Sequence, residues 1–361
     1  MSLGSALVTM LFDVLNTIPI IGSILLSVAA YPVENLVEGD NQTNIGINDI
    51  VKWYTISDTV FGQIDLFDIN FGEIPEDDEN NDGALAQDIT GVIKLNVAKW
   101  YLAIRSLTIV ILLLVLIYIG IRMATSSLSD QRARYKKMLV NWLASLILVF
   151  VLHYIILFAI ELSDSLTEMI ASAARVGTGE EARIKSIEEE LIVGTKAADE
   201  KDIFIGGNVV VSRTGLLQSL ARTNGWNILY VSIIYWILIY YQMKFFFLYL
   251  KRFLTTGFLI VISPLITVTY SIDKAGDGKA QAFSAWMKEF LVNVFIQPLH
   301  AILYLVFMST AYEIVFVAPI LAIAFLAALS RGEKVIKELL HIRGLTSIHS
   351  MSESMKLFKK K

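Results

Sequence analysis

The chain has 361 residues, 55% of them hydrophobic, with a formal net charge of −4 and a mean hydropathy of +0.61. Soluble domains are far less apolar, and several runs approach the ~20 residues that cross a ~30 Å hydrocarbon core, so the pattern is that of a multi-span membrane protein. Cysteine is absent, which excludes disulfides, thiolate catalysis and thiolate metal sites.

Residues 1–31 form an N-terminal hydrophobic or interfacial segment, broken by Asp13, Asn16 and Pro19. It lacks the basic stretch of a secretory signal, so a retained segment is expected. Residues 32–98 are an acidic region; over 32–95 there are 14 Asp or Glu against Lys52 and Lys94, which favours an extracytoplasmic side. Within it, 73–83 reads as a solvated loop. The stretch "IDLFDINF" (64–71) alternates as a short strand or a surface-lying piece does.

Residues 99–163 read as a two-span hairpin. Its spans, 101–121 and 139–161, are joined by a basic loop, 122–138, that holds Arg132, Arg134, Lys136 and Lys137. A second extracytoplasmic region, 164–226, follows. There Thr178 and Glu181 have capping-box spacing, and "IFIGGNVVVS" (203–212) predicts a small hairpin around Gly206, Gly207 and Asn208.

Residues 227–330 form a C-terminal membrane bundle. It reads as a span over 227–250 ending at Lys251 and Arg252, an apolar run over 253–270 interrupted by Pro264, a polar-striped helix over 289–311, and a short run over 316–330. The tail, 331–361, is basic and expected to be cytoplasmic; its "EKVIKELLHIRG" has one apolar face and suits an interfacial helix on anionic lipid. The fold class is therefore all-α: a polytopic integral membrane protein with about 5–7 membrane-embedded helices and two extracytoplasmic loop regions.

The positive-inside rule puts the 122–138 loop, Lys251, Arg252 and the tail in the cytoplasm. Three full crossings after Arg252 would leave the tail on the wrong side. One segment must re-enter or lie in the interface, with 253–270 the first candidate and 316–330 the second.

The helix over 289–311 carries Glu289, Asn293, Gln297, His300 and Tyr304. At ~100° per residue all five fall within a sector of about 80°. An ionisable group facing lipid costs ~2.5–3.5 kcal/mol or more, so the stripe must meet other helices, another subunit or a conduit. Pro298 removes a backbone donor, frees the carbonyl of Val294 and predicts a kink. Trp286, one turn earlier, is placed as an interfacial anchor. Elsewhere, His153 reads as an intramembrane hydrogen-bond partner, with Asn141 and Ser145 available to the same network. The four histidines share no ligand spacing with carboxylates, and no nucleophile–base constellation is visible. No metal, no cofactor and no enzymatic activity are expected.

Two blocks, "WYLAIRSLTIVILLLVLIYIGIRMATSSLSDQRARYKKMLVNWLASLILVFVLHYII" (100–156) and "SPLITVTYSIDKAGDGKAQAFSAWMKEFLVNVFIQPLHAILYLVF" (263–307), resemble the TrbL-like inner-membrane channel components of type IV secretion and conjugation systems, in their Firmicutes-type form. The resemblance covers about half the chain, and the acidic 32–95 region has no place on that pattern. It implies a non-enzymatic homo-oligomer in the bacterial cytoplasmic membrane, working beside a secretion-type cytoplasmic ATPase and other apparatus subunits, with DNA or protein as cargo. A polytopic solute transporter is the alternative, though neither paired intramembrane charges nor inverted repeats are visible.

Overall fold

A computed structural model describes residues 3–30, 54–71, 89–126, 129–174, 203–205, 209–211, 227–276, 280–314 and 318–339. The helices are α1 (Leu3–Ala30), α2 (Ile56–Val60), α3 (Ile89–Thr125), α4 (Ser129–Ala174), α5 (Asn227–Gly276), α6 (Gln281–Ile314) and α7 (Pro319–Leu339), with a 3₁₀ turn at Asp65–Phe67. Four of them, α3 to α6, are long and apolar enough to cross a membrane. The predicted hairpin is present: β1 (Ile203–Ile205) pairs antiparallel with β2 (Val209–Val211), and Phe204 lies opposite Val210. The fold is all-α apart from that hairpin. The loop expected over 73–83 and the Thr178–Glu181 capping box lie outside the described residues.

One expectation fails in an instructive way. The segments 227–250 and 253–270 are not separate; α5 is one helix of 50 residues, ~75 Å long at 1.5 Å per residue. Pro264 strips the carbonyl of Ile260 of its helical donor. The hydroxyl of Ser263 donates to that same carbonyl at 2.7 Å, so the proline is absorbed without a break. Lys251 and Arg252 are therefore mid-helix residues and do not mark the end of a span. Similarly, α7 runs unbroken through the expected junction between the 316–330 run and the tail.

The chain divides into two compact units. The first comprises Met1–Asp68, Asp164–Lys251 and Gln297–Gly332; the second comprises Ile69–Ser163, Arg252–Ile296 and Glu333–Lys361.

The core of the first unit is built from α5 (Ile234, Tyr235, Leu238, Phe245, Tyr249), α6 (Ala301, Tyr304, Met308) and a guest: residues 54–68 of the acidic region. This segment is α2 followed by the 3₁₀ turn, which stands where 64–71 was expected to form a short strand or surface-lying piece, and Tyr54, Ile56, Val60 and Ile64 are at most 1% exposed. Irregular backbone enclosed among apolar helices must have its polar groups satisfied. The amide of Tyr54 donates to Ser27 Oγ of α1 at 2.8 Å, and its carbonyl accepts from Gln242 Nε2 of α5 at 2.9 Å. Thr55 N–H donates to Asp58 Oδ2 at 2.9 Å, closing the first turn of α2. Its exit bends at Gly62, whose φ of +69° favours glycine. Phe67 then packs edge-on to Phe246 and against Tyr249.

The second unit is centred on Tyr101 of α3, Leu152 and Ile156 of α4, Ile260 of α5, and Trp286 and Phe290 of α6. Trp286 is not an interfacial anchor: it is buried, stacks on Phe290 at 5.4 Å, and donates its indole N–H to the Leu259 carbonyl at 3.0 Å. The ring is large and apolar and its one donor finds a carbonyl inside, so water is not required. A second indole, Trp142, ties α4 to α3 by donating to the Leu112 carbonyl at 2.7 Å.

Because the chain has no cysteine, single-cysteine variants report burial directly. Val60→Cys should resist a membrane-impermeant maleimide in the folded protein, whereas Gln63→Cys, on an exposed position of the same segment, should react readily. Equal reactivity of the two would contradict the seating of residues 54–68.

Candidate functional site

Helix α6 carries the polar stripe, and Pro298 decides what half of it must meet. The proline leaves the Val294 carbonyl without its helical donor, and an unsatisfied carbonyl away from water costs ~1–3 kcal/mol. In the second unit the missing donors come from two other helices. Ser163 Oγ of α4 donates to the Val294 carbonyl at 2.8 Å. Arg252 of α5 donates through Nη2 to the same carbonyl at 3.3 Å and through Nε to the Asn293 carbonyl at 2.6 Å. The rigid fork of a guanidinium suits two successive carbonyl acceptors. An interrupted ladder also leaves partial negative charge on its last carbonyls, as at a helix C-terminus, and a cation there is favourable.

The other stripe side chains in this unit bond within α6. Asn293 Nδ2 donates to the Glu289 carbonyl at 2.8 Å and approaches Glu289 Oε1 at 3.3 Å. Glu289 is half-buried, and its Oε2 is buried with no hydrogen-bond partner among the described residues.

In the first unit the remaining three stripe residues are buried. Gln297 is 8% exposed, and its Nε2 lies 3.0 Å from where a Cβ on Gly62 would stand, so the side chain reaches the bend of the seated segment. His300 Nδ1 and Tyr249 OH share a hydrogen bond at 3.3 Å. Tyr304 packs edge-on against Phe61, ring centroids 5.7 Å apart. The stripe thus meets the chain's own side chains in each unit.

The other predicted residues fall elsewhere. His153 of α4 lies in an aromatic cluster, 5.4 Å from Phe71 and 5.5 Å from Tyr101 by ring centroid. Ser145 and Asn141 lie more than two and more than three helical turns before His153 on α4, too far for a shared network. Both are buried, and Asn141 Nδ2 and Ser145 Oγ find no partner among the described residues. Arg132, Arg134, Lys136 and Lys137 are exposed, and Arg132 Nε donates to the Ser126 carbonyl at 3.0 Å, closing the turn between α3 and α4. No group of three or more metal-ligating side chains occurs among the described residues.

Sequence reasoning missed Arg252, Ser163 and the seated segment with its anchors Ser27 and Gln242. Only the segment left a trace: "WYTISDTVFGQIDLF" (53–67) is rich in aromatic and β-branched residues for a solvated acidic loop. Comparison with protein-family profiles, curated proteins and solved structures yields no match.

Two outcomes test this site. Ser163→Ala should cost about 1 kcal/mol of stability in detergent, and almost nothing in a Pro298→Ala background, where the restored amide serves Val294; a denaturant double-mutant cycle reads the difference. Gly62→Ala should lower stability by about 1–2 kcal/mol, the penalty of a Cβ in the left-handed region, with further loss from the approach to Gln297; a thermal melt that matches the wild type would refute the tight bend.

Proposed function

We propose that the chain is a non-enzymatic, multi-pass channel or scaffold subunit of a type IV secretion-like apparatus for conjugative DNA or protein transfer, seated in the bacterial cytoplasmic membrane. The observation that carries the reading is where the polar groups go. Gln297, His300 and Tyr304 of the stripe and the Arg252 guanidinium are spent on holding helices and the 54–68 segment together. Meanwhile α3 and α4 turn long apolar faces outward, including Leu107, Val110, Leu114, Val140, Phe150 and Phe158. Such a body is built to be a fixed wall in lipid or against sister subunits. The resemblance of residues 100–156 and 263–307 to TrbL-like proteins gives the wall its setting: a homo-oligomer beside a cytoplasmic ATPase and other apparatus subunits.

The continuity of α5 supports a consistent topology. Single crossings by α3, α4, α5 and α6 put the basic 122–138 loop and the α5–α6 connector on one side, which the positive-inside rule makes cytoplasmic. The acidic 32–88 stretch and residues 175–226 then lie on the other. Neither 253–270 nor another segment of α5 has to re-enter in this arrangement.

The test is a mild-detergent pull-down of the full chain from native membranes, read by mass spectrometry of the co-purifying proteins and by the mass of the intact complex. A homo-oligomer that brings a secretion-type ATPase is the expected result, and a lone monomer would overturn the reading. In the same assay Lys136→Glu with Lys137→Glu should weaken ATPase recovery several-fold, the scale of two exposed charges in a contact, and leave the homo-oligomer intact.

A further inference from the structure

We infer that the second unit holds a site for one anionic phospholipid of the surrounding bilayer, with an acyl chain in an apolar groove and the phosphate on the arginines at its mouth. The groove encloses about 400 Å³, within the ~300–1,000 Å³ of ordinary ligand pockets. Its walls include Leu114, Tyr118 and Ile119 of α3, Met138 of α4, and Ser271 and Ile272 of α5. Leu114, Tyr118 and Ile272 are each more than half exposed, so the groove opens outward, where acyl chains lie around a membrane helix. Its hydroxyls are already engaged: Ser271 Oγ donates to the Val268 carbonyl at 3.0 Å, and Tyr118 OH accepts from Arg122 Nε at 3.3 Å. What remains on the walls is hydrocarbon and one thioether.

Charge collects at one end. Arg122 stands one turn beyond Tyr118, its guanidinium 5.7 Å from the centre of that ring. Met138 follows Lys136 and Lys137 directly, and Arg134 precedes it by one turn, on the same face of α4. Ile272 is followed by Asp273 and Lys274. Three helices therefore pass from apolar to charged at the same end of the groove, and four of the charges on α3 and α4 are basic and exposed. Guanidinium groups bind phosphate in a forked geometry that fixes its orientation. Asp273, beside Ile272, is turned to another use: its Oδ2 accepts the Ala282 amide at 3.1 Å, capping the first turn of α6. Lys274 likewise donates to Tyr270 OH at 2.6 Å. Of the exposed basic residues, Arg122 and Arg134 carry the guanidinium fork and form the phosphate-binding pair, Arg122 keeping donors beyond the Nε that Tyr118 takes. A neutral or zwitterionic lipid would fill the groove but gain little at the mouth.

The full chain, reconstituted in phosphatidylcholine vesicles, can be photolabelled with a trace of phosphatidylglycerol that carries a photoactivatable acyl chain. Label should concentrate on 111–119, 138 and 271–272, and a phosphatidylcholine probe of the same chain should label these residues far less. Arg122→Gln with Arg134→Gln should cut phosphatidylglycerol labelling of the groove roughly thirty-fold, the scale set by two basic groups near an anionic headgroup. Labelling of the exposed Phe150 and Phe158 region should stay unchanged and certify the fold. Leu114→Trp, which fills the groove, should suppress labelling there by both probes. The proposal is overturned by equal labelling with the two lipids, by a phosphatidylglycerol preference that survives the arginine pair's removal, or by label spread evenly over the outward faces of α3 and α4.

Discussion

A single carbonyl oxygen, that of Val294, organises the packing around α6. Pro298 takes away its helical donor, and a membrane interior offers no water to replace it. The chain answers with Ser163 from α4 and Arg252 from α5, so three helices meet at one acceptor. The cation also finds its site there, on carbonyls carrying the partial charge of an interrupted helix. An arginine that would be costly on an apolar helix becomes a tie between α5 and α6.

The two prolines of the bundle show how the position of the substitute donor decides the outcome. At Pro264 the preceding residue is a serine, and its hydroxyl reaches the freed carbonyl of Ile260 within the same helix. The repair is local, so α5 continues and recruits nothing. At Pro298 the preceding residue is Gln297, whose amide is directed to the bend at Gly62. No local donor remains, and the vacancy is filled from neighbouring helices. Both helices continue through their prolines, but the same chemical lesion is repaired within the helix in one place and by an inter-helix junction in the other.

This difference also marks the limit of what one sequence discloses. The stripe was legible because Glu289, Asn293, Gln297, His300 and Tyr304 recur at helical spacing, and because Pro298 announces a freed carbonyl. The donors were not legible, since Ser163 lies 131 residues from Val294 and Arg252 lies 41 residues from Asn293. The hairpin at 203–211 was readable from its Gly-Gly-Asn centre and flanking β-branched residues, a purely local signal. Pro264 misled because a breaker was weighed without the serine beside it. The burial of residues 54–68 was hidden by acidic neighbours: the carboxylates of 73–82 set the character of the whole stretch and masked the aromatic run before them.

The seating of residues 54–68 imposes an order of assembly. Ser27, which holds the amide of Tyr54, precedes it by 27 residues and is made first. Gln242, which holds the carbonyl, follows 188 residues later, and Phe61 waits for Tyr304. Synthesis proceeds from the N-terminus at ~5–20 residues per second, so for many seconds the segment exists without the walls that enclose it. Its apolar side chains must be kept from other partners during that interval, and the dense acidic charge that follows at 73–82 provides repulsion against self-association. This piece of the first unit's core is made before Gln242 and Tyr304 and is locked in place only after both have followed.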